Sequence, residues 1–418
     1  MQTSFSAAQL AKPGMPENER ILRSCVHCGL CSATCPTYAL LGDELDSPRG
    51  RIYLIKNMFE TGRAATEQDA LHIDRCLSCL SCTTTCPSGV DYMHLVDHAR
   101  SWIEETYRRP LPERMLRAIL AFVLPRPNIF RSALFLARFA KPFAPLLPAR
   151  LRAMLDLAPP TLPKSTPPQT PKIENPRLRV ALLGGCVQPT LAPQVDAATI
   201  RILARHGCEV IAGNGCCGAL THHLGKDAKD FARANIDRWM AEIETKGLDA
   251  IVVNVSGCGV VVKDYGHLLK DDPAYSAKAA RVAALAKDPC EVLESLGLVP
   301  GALPQPLKVA YHSACSLQHG QRITELPKKL LRQVGFKVSD IAEGHLCCGS
   351  AGTYNILQPE ISAQLRDRKV MNIRKTAPDV VAAGNIGCIV QIAKGASELP
   401  VVHTIELLDW ATGGPTPL

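Results

Sequence analysis

What this sequence lacks narrows its function before any motif is read. No stretch approaches the roughly 20 consecutive apolar residues of a membrane-spanning helix. The nearest, MLRAILAFVLP from Met115, carries Arg117 and ends on proline. The first twenty residues, MQTSFSAAQLAKPGMPENER, contain no apolar core of a secretory signal. The chain is therefore expected in the reducing cytosol, where thiolates stay free to ligate. Charge of one sign is also scarce outside a single segment. Between Arg108 and Leu157 ten basic residues stand against two acidic ones, an excess equal to the +8 of the whole chain. With the remainder near neutral, the basic field of a general nucleic-acid binder is missing. Neither a flavin fingerprint nor a catalytic acid–base set is found.

Cysteine is abundant. Eighteen cysteines in 418 residues, clustered rather than scattered, favour metal over a disulfide framework. Residues 25–38 read CVHCGLCSATCPTY, and the chain repeats itself as CLSCLSCTTTCPSG from Cys76. Both are C-x2-C-x2-C-x3-C-P, the ligand run of bacterial ferredoxins, in which the fourth cysteine serves the other run's cluster. Three thiolates at intervals of three wrap one cubane, while the fourth is thrown outward by the turn that proline imposes. This assigns one 4Fe-4S cluster to Cys25, Cys28, Cys31 and Cys86, and a second to Cys76, Cys79, Cys82 and Cys35. Zinc also takes four cysteines, but it pairs two C-x2-C knuckles over a longer gap and has no use for the third cysteine of each run. Two interlocked clusters imply an electron wire.

Residues 1–107 hold these runs. One helix leads in through NERILRSC and another leaves through VDYMHLVDHARSWIEETY, with Val90, Leu95, Val96, Ala99, Trp102 and Ile103 largely on one face. A basic, apolar, helical connector covers 108–158, and PPTLPKSTPPQTPKIENP at 159–176 reads as an extended linker. Beyond it the chain is duplicated. VALLGGCVQ at 180–188 answers to VAYHSACSLQ at 309–318, GNGCCGA at 213–219 to EGHLCCGSAG at 343–352, and AIVVNVSGCGVVVK at 250–263 to VVAAGNIGCIVQIAK at 380–394. In each copy a short apolar strand runs into a cysteine and then a helical stretch, DAATIRILARHG or ITELPKKLLRQVG. This predicts two small α/β modules with mainly parallel strands, at 177–300 and 301–418.

Each module supplies four cysteines: Cys186, Cys216, Cys217 and Cys258, then Cys315, Cys347, Cys348 and Cys388. A thiol pair followed by glycine at a helix start gains from close backbone approach and the positive helix end. Such a quartet is open to two readings, a further iron-sulfur or zinc centre, or packing. Cys208 and Cys290 have no counterpart in the repeat and are expected to be ordinary buried thiols. Gly213, Gly215 and Gly218 spell a dinucleotide fingerprint, but the second copy keeps the sulfurs and lacks the first two glycines, which argues against a phosphate loop. His222, His223, His312 and His345 stand near these cysteines and are candidate metal ligands, but single histidines are more often hydrogen-bonded structural residues, and that is the expectation for all four.

The whole pattern, ferredoxin-type runs followed by two CCG modules, resembles the iron-sulfur electron-transfer subunits of the heterodisulfide reductase, anaerobic glycerol-3-phosphate dehydrogenase and glycolate oxidase group. CVHCGLCSATCPTYALLGDELDSPRGRIYLIK, RPLPER, SGCG with VVKDYGHLLK, and HLCCGSAGTY are most similar to its glycolate oxidase branch. The resemblance implies a partner flavoprotein whose FAD takes electrons from glycolate, giving glyoxylate. This chain would relay them singly towards a membrane quinone, from the cytoplasmic face of the inner membrane. A lactate or glycerol-3-phosphate dehydrogenase subunit is the near alternative, and a cluster-based redox sensor the distant one. In the heterodisulfide reductase version each module ends in C-x-x-C and can hold a noncubane cluster. Here Val261 and Gln391 stand in the last position, which speaks against that cluster. In the connector, arginines interleaved with Phe122, Val123, Phe130, Leu134, Phe135, Leu136 and Phe139 suit either an anionic lipid surface or a sister subunit.

Overall fold

In the computed structural model, which describes residues 1–164, 169–213, 215–299, 301 and 306–418, the N-terminal part is helical. Helices α1 (Met15–Ser24), α2 (Pro48–Thr61), α3 (Glu67–Asp74) and α4 (Tyr92–Thr106) pack round one core. Their starts are written locally. Ser47 Oγ accepts from the Gly50 amide at 3.0 Å with Pro48 in the first turn, and Thr66 and Asp69 close a capping box on α3. On α4 the expected apolar face turns inward, with Leu95, Val96, Ala99 and Ile103 buried and Trp102 half-buried. Cys25, Cys76 and Cys82 belong to the same core, so the cysteine loops are its rim rather than appendages.

Three amphipathic helices follow, α5 (Leu111–Val123), α6 (Pro127–Ala140) and α7 (Ala149–Leu157). Residues 165–168, within the predicted linker, lie outside the described residues.

The duplication reappears as two parallel sheets of identical strand order. The first contains β1 (Leu178–Leu183), β2 (Cys208–Gly213), β3 (Ala250–Val252) and β4 (Ala286–Lys287) in the order β2-β1-β3-β4. The second contains β5 (Lys308–His312), β6 (Lys337–Asp340), β7 (Val380–Ala383) and β8 (Val401–His403) in the order β6-β5-β7-β8. Val180 pairs with Ala250 as Val309 pairs with Val380, so the register is duplicated too. Strands β3 and β7 are buried at every residue, as expected of parallel strands covered on both faces.

Helices α8 (Pro193–Arg205), α9 (Pro289–Leu296), α10 (Leu326–Gln333) and α11 (Thr404–Ala411) contribute to a core common to both sheets. Leu182, Leu203 and Leu293 meet Tyr311, Leu330 and Leu407 there, and Cys208 and Cys290 are packed among them. The buried carboxylate of Asp409 on α11 receives Arg201 at 2.6 Å and Arg205 at 3.1 Å from α8, tying one module to the other. In both copies the module cysteines lie beyond the carboxyl ends of the strands, where parallel sheets carry their sites.

Candidate metal centres

The two N-terminal cysteine runs share one backbone. His27 and Gly29 have φ of 59° and 83°, and the equivalent Ser78 and Leu80 have 49° and 61°. Left-handed residues at both steps curl the chain around the sulfurs, a conformation free to Gly29 and strained for Leu80. A single turn follows in each run, Leu30–Thr34 or Ser81–Thr85, and then an extended cysteine, Cys35 or Cys86, fixed by the proline after it.

That exit carries the fourth cysteine away from its own loop. One small cavity is lined by Cys25, Cys28 and Cys31 of the first run and by Cys82 and Cys86 of the second, walled by Ile52, Val90 and Tyr92. Burial, with the neighbouring Cys25, Cys86 and Cys35, pushes the Cys31 thiol up to about 11. Cys35 meanwhile stands close enough to Cys79 and Cys82 to raise both thiols beyond what burial alone does. A zinc ion would draw its sulfurs to about 3.8 Å of one another, from Zn–S bonds of about 2.3 Å. Among the described residues, no three of these eight sulfurs lie within 4.8 Å of one another. As they stand, the eight sulfurs are not gathered as the ligands of a single ion would be.

The two sets differ in setting. Cys28 is exposed, with Val26 and Leu30 forming an exposed apolar rim, whereas Cys35, Cys76, Cys79 and Cys82 are all buried. Arg51, 1% exposed, spans the second set, donating to the His72 carbonyl at 2.7 Å, Thr37 at 3.0 Å and the Cys35 sulfur at 3.8 Å. Its charge is balanced by buried Asp46, which also accepts from Arg75 at 2.8 Å and His72 at 3.1 Å. Tyr92 Oη donates to Cys76 Sγ at 3.6 Å, and Arg100 donates to the Cys76 carbonyl at 2.7 Å. Burial works to raise the Cys76 thiol, but Arg51 and Arg100 outweigh it and hold it below the usual range.

The module cysteines also converge. In the first module, Cys186, Cys216, Cys217 and Cys258 are linked by successive thiol contacts, and the amides of Gly218 and Ala219 donate to Cys216 and Cys217 at 3.4 and 3.5 Å. The glycine fingerprint thus turns its helix amides towards sulfur. In the second module Cys315 and Cys347 stand 3.9 Å apart, with Cys348 and Cys388 continuing the chain. This quartet abuts the buried N-terminal set. Cys79, Cys347 and Leu365 share one apolar cluster, and Tyr354 Oη donates to the Arg75 carbonyl at 3.1 Å.

The four histidines divide. His222 does pair, with Asp97 at 3.0 Å. His312 does not behave as a hydrogen-bonded core histidine: it is 1% exposed and neither ring nitrogen has a partner. Burial and the nearby Lys369 pull its imidazole down to about 3, so it is neutral. Its ring nitrogen lies within 4.8 Å of the sulfurs of Cys348 and Cys388.

Nothing in the sequence announced what α5, α6 and α7 cover. With the first-module quartet they enclose a cavity of about 330 Å³, lined by Leu120, Phe130, Leu134 and Leu157 and by all four cysteines. His223 and Asn355 also line it, and His223 Nδ1 and Asn355 Oδ1 are buried without partners. The connector's residues divide accordingly. Phe130 and Leu134 turn inward, while Phe122, Phe135, Leu136 and Phe139 are exposed. Arg109 and Arg117 are buried against Asp74 at 2.5 and 2.7 Å, so part of the basic excess is internal.

Comparison with known proteins bears on these centres. A family model described as a 4Fe-4S dicluster domain matches residues 21–90, and one described as a cysteine-rich domain matches 180–263 and 309–393. The chain is 45% identical, over 98% of its length and 99% of the relative's, to the glycolate oxidase iron-sulfur subunit of Escherichia coli. It is 33% identical, over 97% of both chains, to the probable glycolate oxidase iron-sulfur subunit of Bacillus subtilis. Similarity to lactate utilization protein A of Bacillus licheniformis, at 31% identity, spans 56% of this chain and 99% of that one. The crystal structure of a hypothetical protein from Helicobacter pylori superposes with a TM-score of 0.57 at 12% identity, covering 99% of this chain and 74% of that one. That last likeness is one of fold.

Proposed function

As the chain belongs to the glycolate oxidase iron-sulfur subunit family, we propose that it is the electron-transfer subunit of a complex in which a partner flavoprotein, carrying FAD, oxidises glycolate to glyoxylate. The observation that carries this reading is the pair of interleaved cysteine sets, one opening to the surface at Cys28 and one enclosed. Cys25, Cys28, Cys31 and Cys86 hold one 4Fe-4S cluster, and Cys76, Cys79, Cys82 and Cys35 hold the other. Such clusters supply single-electron transfer over short distances. The chain's own residues do the rest. Val26 and Leu30 present the exposed set to a partner, while Arg51 and Arg100 offset negative charge at the enclosed set. Leu77, Tyr354 and Leu365 exclude water where the second module covers it.

Electrons leave, in this reading, towards a membrane quinone. Two features support it. The apolar cavity beneath α5 and α6 is large enough for a quinone ring, with His223 and Asn355 available to its oxygens. Phe135, Leu136, Phe139, Phe143 and Leu146 are exposed beside Arg138 and Lys141, which suits peripheral contact with anionic lipid on the cytoplasmic face. No helix among the described residues is long and apolar enough to cross a membrane.

The test is anaerobic co-purification from the native host, identification of the flavoprotein, and assay of short-chain ubiquinone reduction with glycolate, lactate and glycerol 3-phosphate in turn. Glycolate is the expected donor. Preference for lactate would move the chain to the neighbouring reading, and a preparation with no flavoprotein and no turnover would revive the redox sensor.

A further inference from the structure

We propose that His223 hands protons to the quinone in the cavity beneath α5 and α6, that Asp97 and His222 bring them in from solvent, and that Asn355 accepts the hydroxyl so formed. This deepens the quinone reading and rests on it. His223 lines that cavity together with Asn355, and it also lines a smaller one that reaches Cys76 and Ser78 of the buried cysteine set. It therefore stands between the enclosed cluster set and the cavity. The fold fixes it there. Gly225, two residues on at a φ of 78°, lies so near α4 that a Cβ would meet the Arg100 carbonyl oxygen at 2.5 Å, and Lys226 pairs with Glu104.

The direction of the hydrogen bonds decides what a ligand must bring. Ser362 Oγ donates to the Gly349 carbonyl at 2.8 Å and so accepts from Gln391 Nε2, also at 2.8 Å. The Gln391 carbonyl oxygen is left to accept from Asn355 Nδ2 at 3.4 Å. That chain makes Asn355 Oδ1 a buried acceptor with no donor. A quinone has no donor to offer, whereas a quinol has a hydroxyl at each end. Tighter binding of the reduced form draws reduction forward.

On the proton side, His222 Nε2 meets Asp97 at 3.0 Å, and Arg100 approaches the same carboxylate at 3.5 Å. Burial opposes charge on His222 and Asp97, but their mutual attraction outweighs it, raising the imidazole and lowering the carboxyl, with Arg100 adding to the latter. Burial, with Arg100 and His222, pulls the His223 ring down to about 4 against the pull of Asp97. Asp74 and Arg117 also face this space. His223 is thus neutral, and a neutral imidazole takes a proton on one nitrogen as it releases one from the other. Asp97 Oδ1 and His223 Nδ1 are both buried without hydrogen-bond partners, which leaves free the two ends that a moving proton needs. His222, its side chain 23% exposed, opens the path to solvent. Each turnover adds two electrons, singly from the clusters, and two protons from solvent, so both quinone carbonyls become hydroxyls. No other reactant is consumed.

The co-purified complex, kept free of oxygen, is assayed with glycolate against short-chain ubiquinone and against ferricyanide, which takes an electron without a proton. His223→Gln is expected to lower kcat for ubiquinone about a hundredfold while ferricyanide turnover continues, and deuterium oxide should slow the native ubiquinone rate alone. His222→Ala should lose about tenfold, and imidazole in the medium should restore part of it. Asn355→Leu should weaken binding of ubiquinol about tenfold and leave that of ubiquinone unchanged. Ubiquinone turnover kept by His223→Gln, or lost in step with ferricyanide turnover, would overturn the relay. Should that variant fail to fold, binding to the native complex decides: ubiquinol must bind about tenfold more tightly than ubiquinone, and equal affinities overturn the proposal. A native complex that reduces ferricyanide but no quinone sinks the quinone reading and this inference together. Native quinone turnover that the variants do not disturb sinks this inference alone.

Discussion

Cys35 and Cys86 are where the chemistry of this chain turns on single atoms. Each follows a tight loop that its own run needs, yet each is carried out of that loop by an extended backbone and a proline. Cys35→Ala is therefore expected to abolish the cluster of the second run, and Cys86→Ala that of the first. Paramagnetic resonance of each reduced variant checks this; loss confined to the cluster of the mutated run would refute cross-ligation. Arg100 makes a subtler case. It donates to Ser78 Oγ at 2.6 Å and to the Cys76 carbonyl, with its charge facing the buried set. Reduction adds negative charge there, so Arg100→Gln should lower that cluster's midpoint potential by on the order of 50 mV. Redox titration would detect it, and an unchanged potential would mean that solvent screens the site. These cysteines could be read from their spacing because the ligand loops are local. Arg100 could not, since an arginine in a helix has no mark to say what it faces.

At the scale of the element, the connector helices combine two faces that the sequence blended into one basic, apolar stretch. The inward face closes over both modules, Leu120 against Leu224, Ile356 and Leu357, and Phe130 and Leu134 beside Val187 and Leu191. The outward face leaves Phe135 and Phe139 stacked edge-on at 5.6 Å and open to solvent. Replacing both with serine should weaken sedimentation with anionic vesicles at least tenfold without changing cluster content, and added salt should weaken the native interaction as well. Equal binding by the double variant would assign this face to a sister subunit. The strands tell the opposite story. Their alternation with helical stretches predicted mainly parallel strands, and β3 and β7 are indeed parallel and buried throughout, because an all-apolar short strand carries burial on both faces in its own composition.

For the whole molecule, the cluster domain meets the second module through the apolar cluster of Leu77, Cys79, Cys347, Tyr354 and Leu365, and the first module through charged contacts as well. His94 on α4 donates to Asp91 at 2.6 Å and to Asp264 of the first module at 3.0 Å. His267 stacks on it at 3.5 Å, with Glu17 and Lys270 close by. Burial works against the charged ring, but the two aspartates outweigh it and raise His94 to about 10. A raised folded value means that its contribution to stability is complete below about 6.5 and is lost as pH climbs towards 10. The protection of α4 amides, their exchange corrected for intrinsic base catalysis, should fall over that window, and His94→Gln should remove most of that fall. A native profile flat from 6.5 to 10 would show that the pair carries no docking energy.

The amino-acid sequence by itself determined the sulfur loops, the duplication and the sheet type. Each depends on spacings of a few residues, on proline and left-handed turns, or on a repeat that can be counted. Only the tertiary structure decided which sulfurs face solvent, that α5 and α6 roof the first quartet, that Arg51 and Arg100 flank the second cluster set, and that His312 lies unpartnered among thiols. Those outcomes rest on packing between segments far apart in the chain, where the energy of a contact belongs to the pair and is written in neither partner alone.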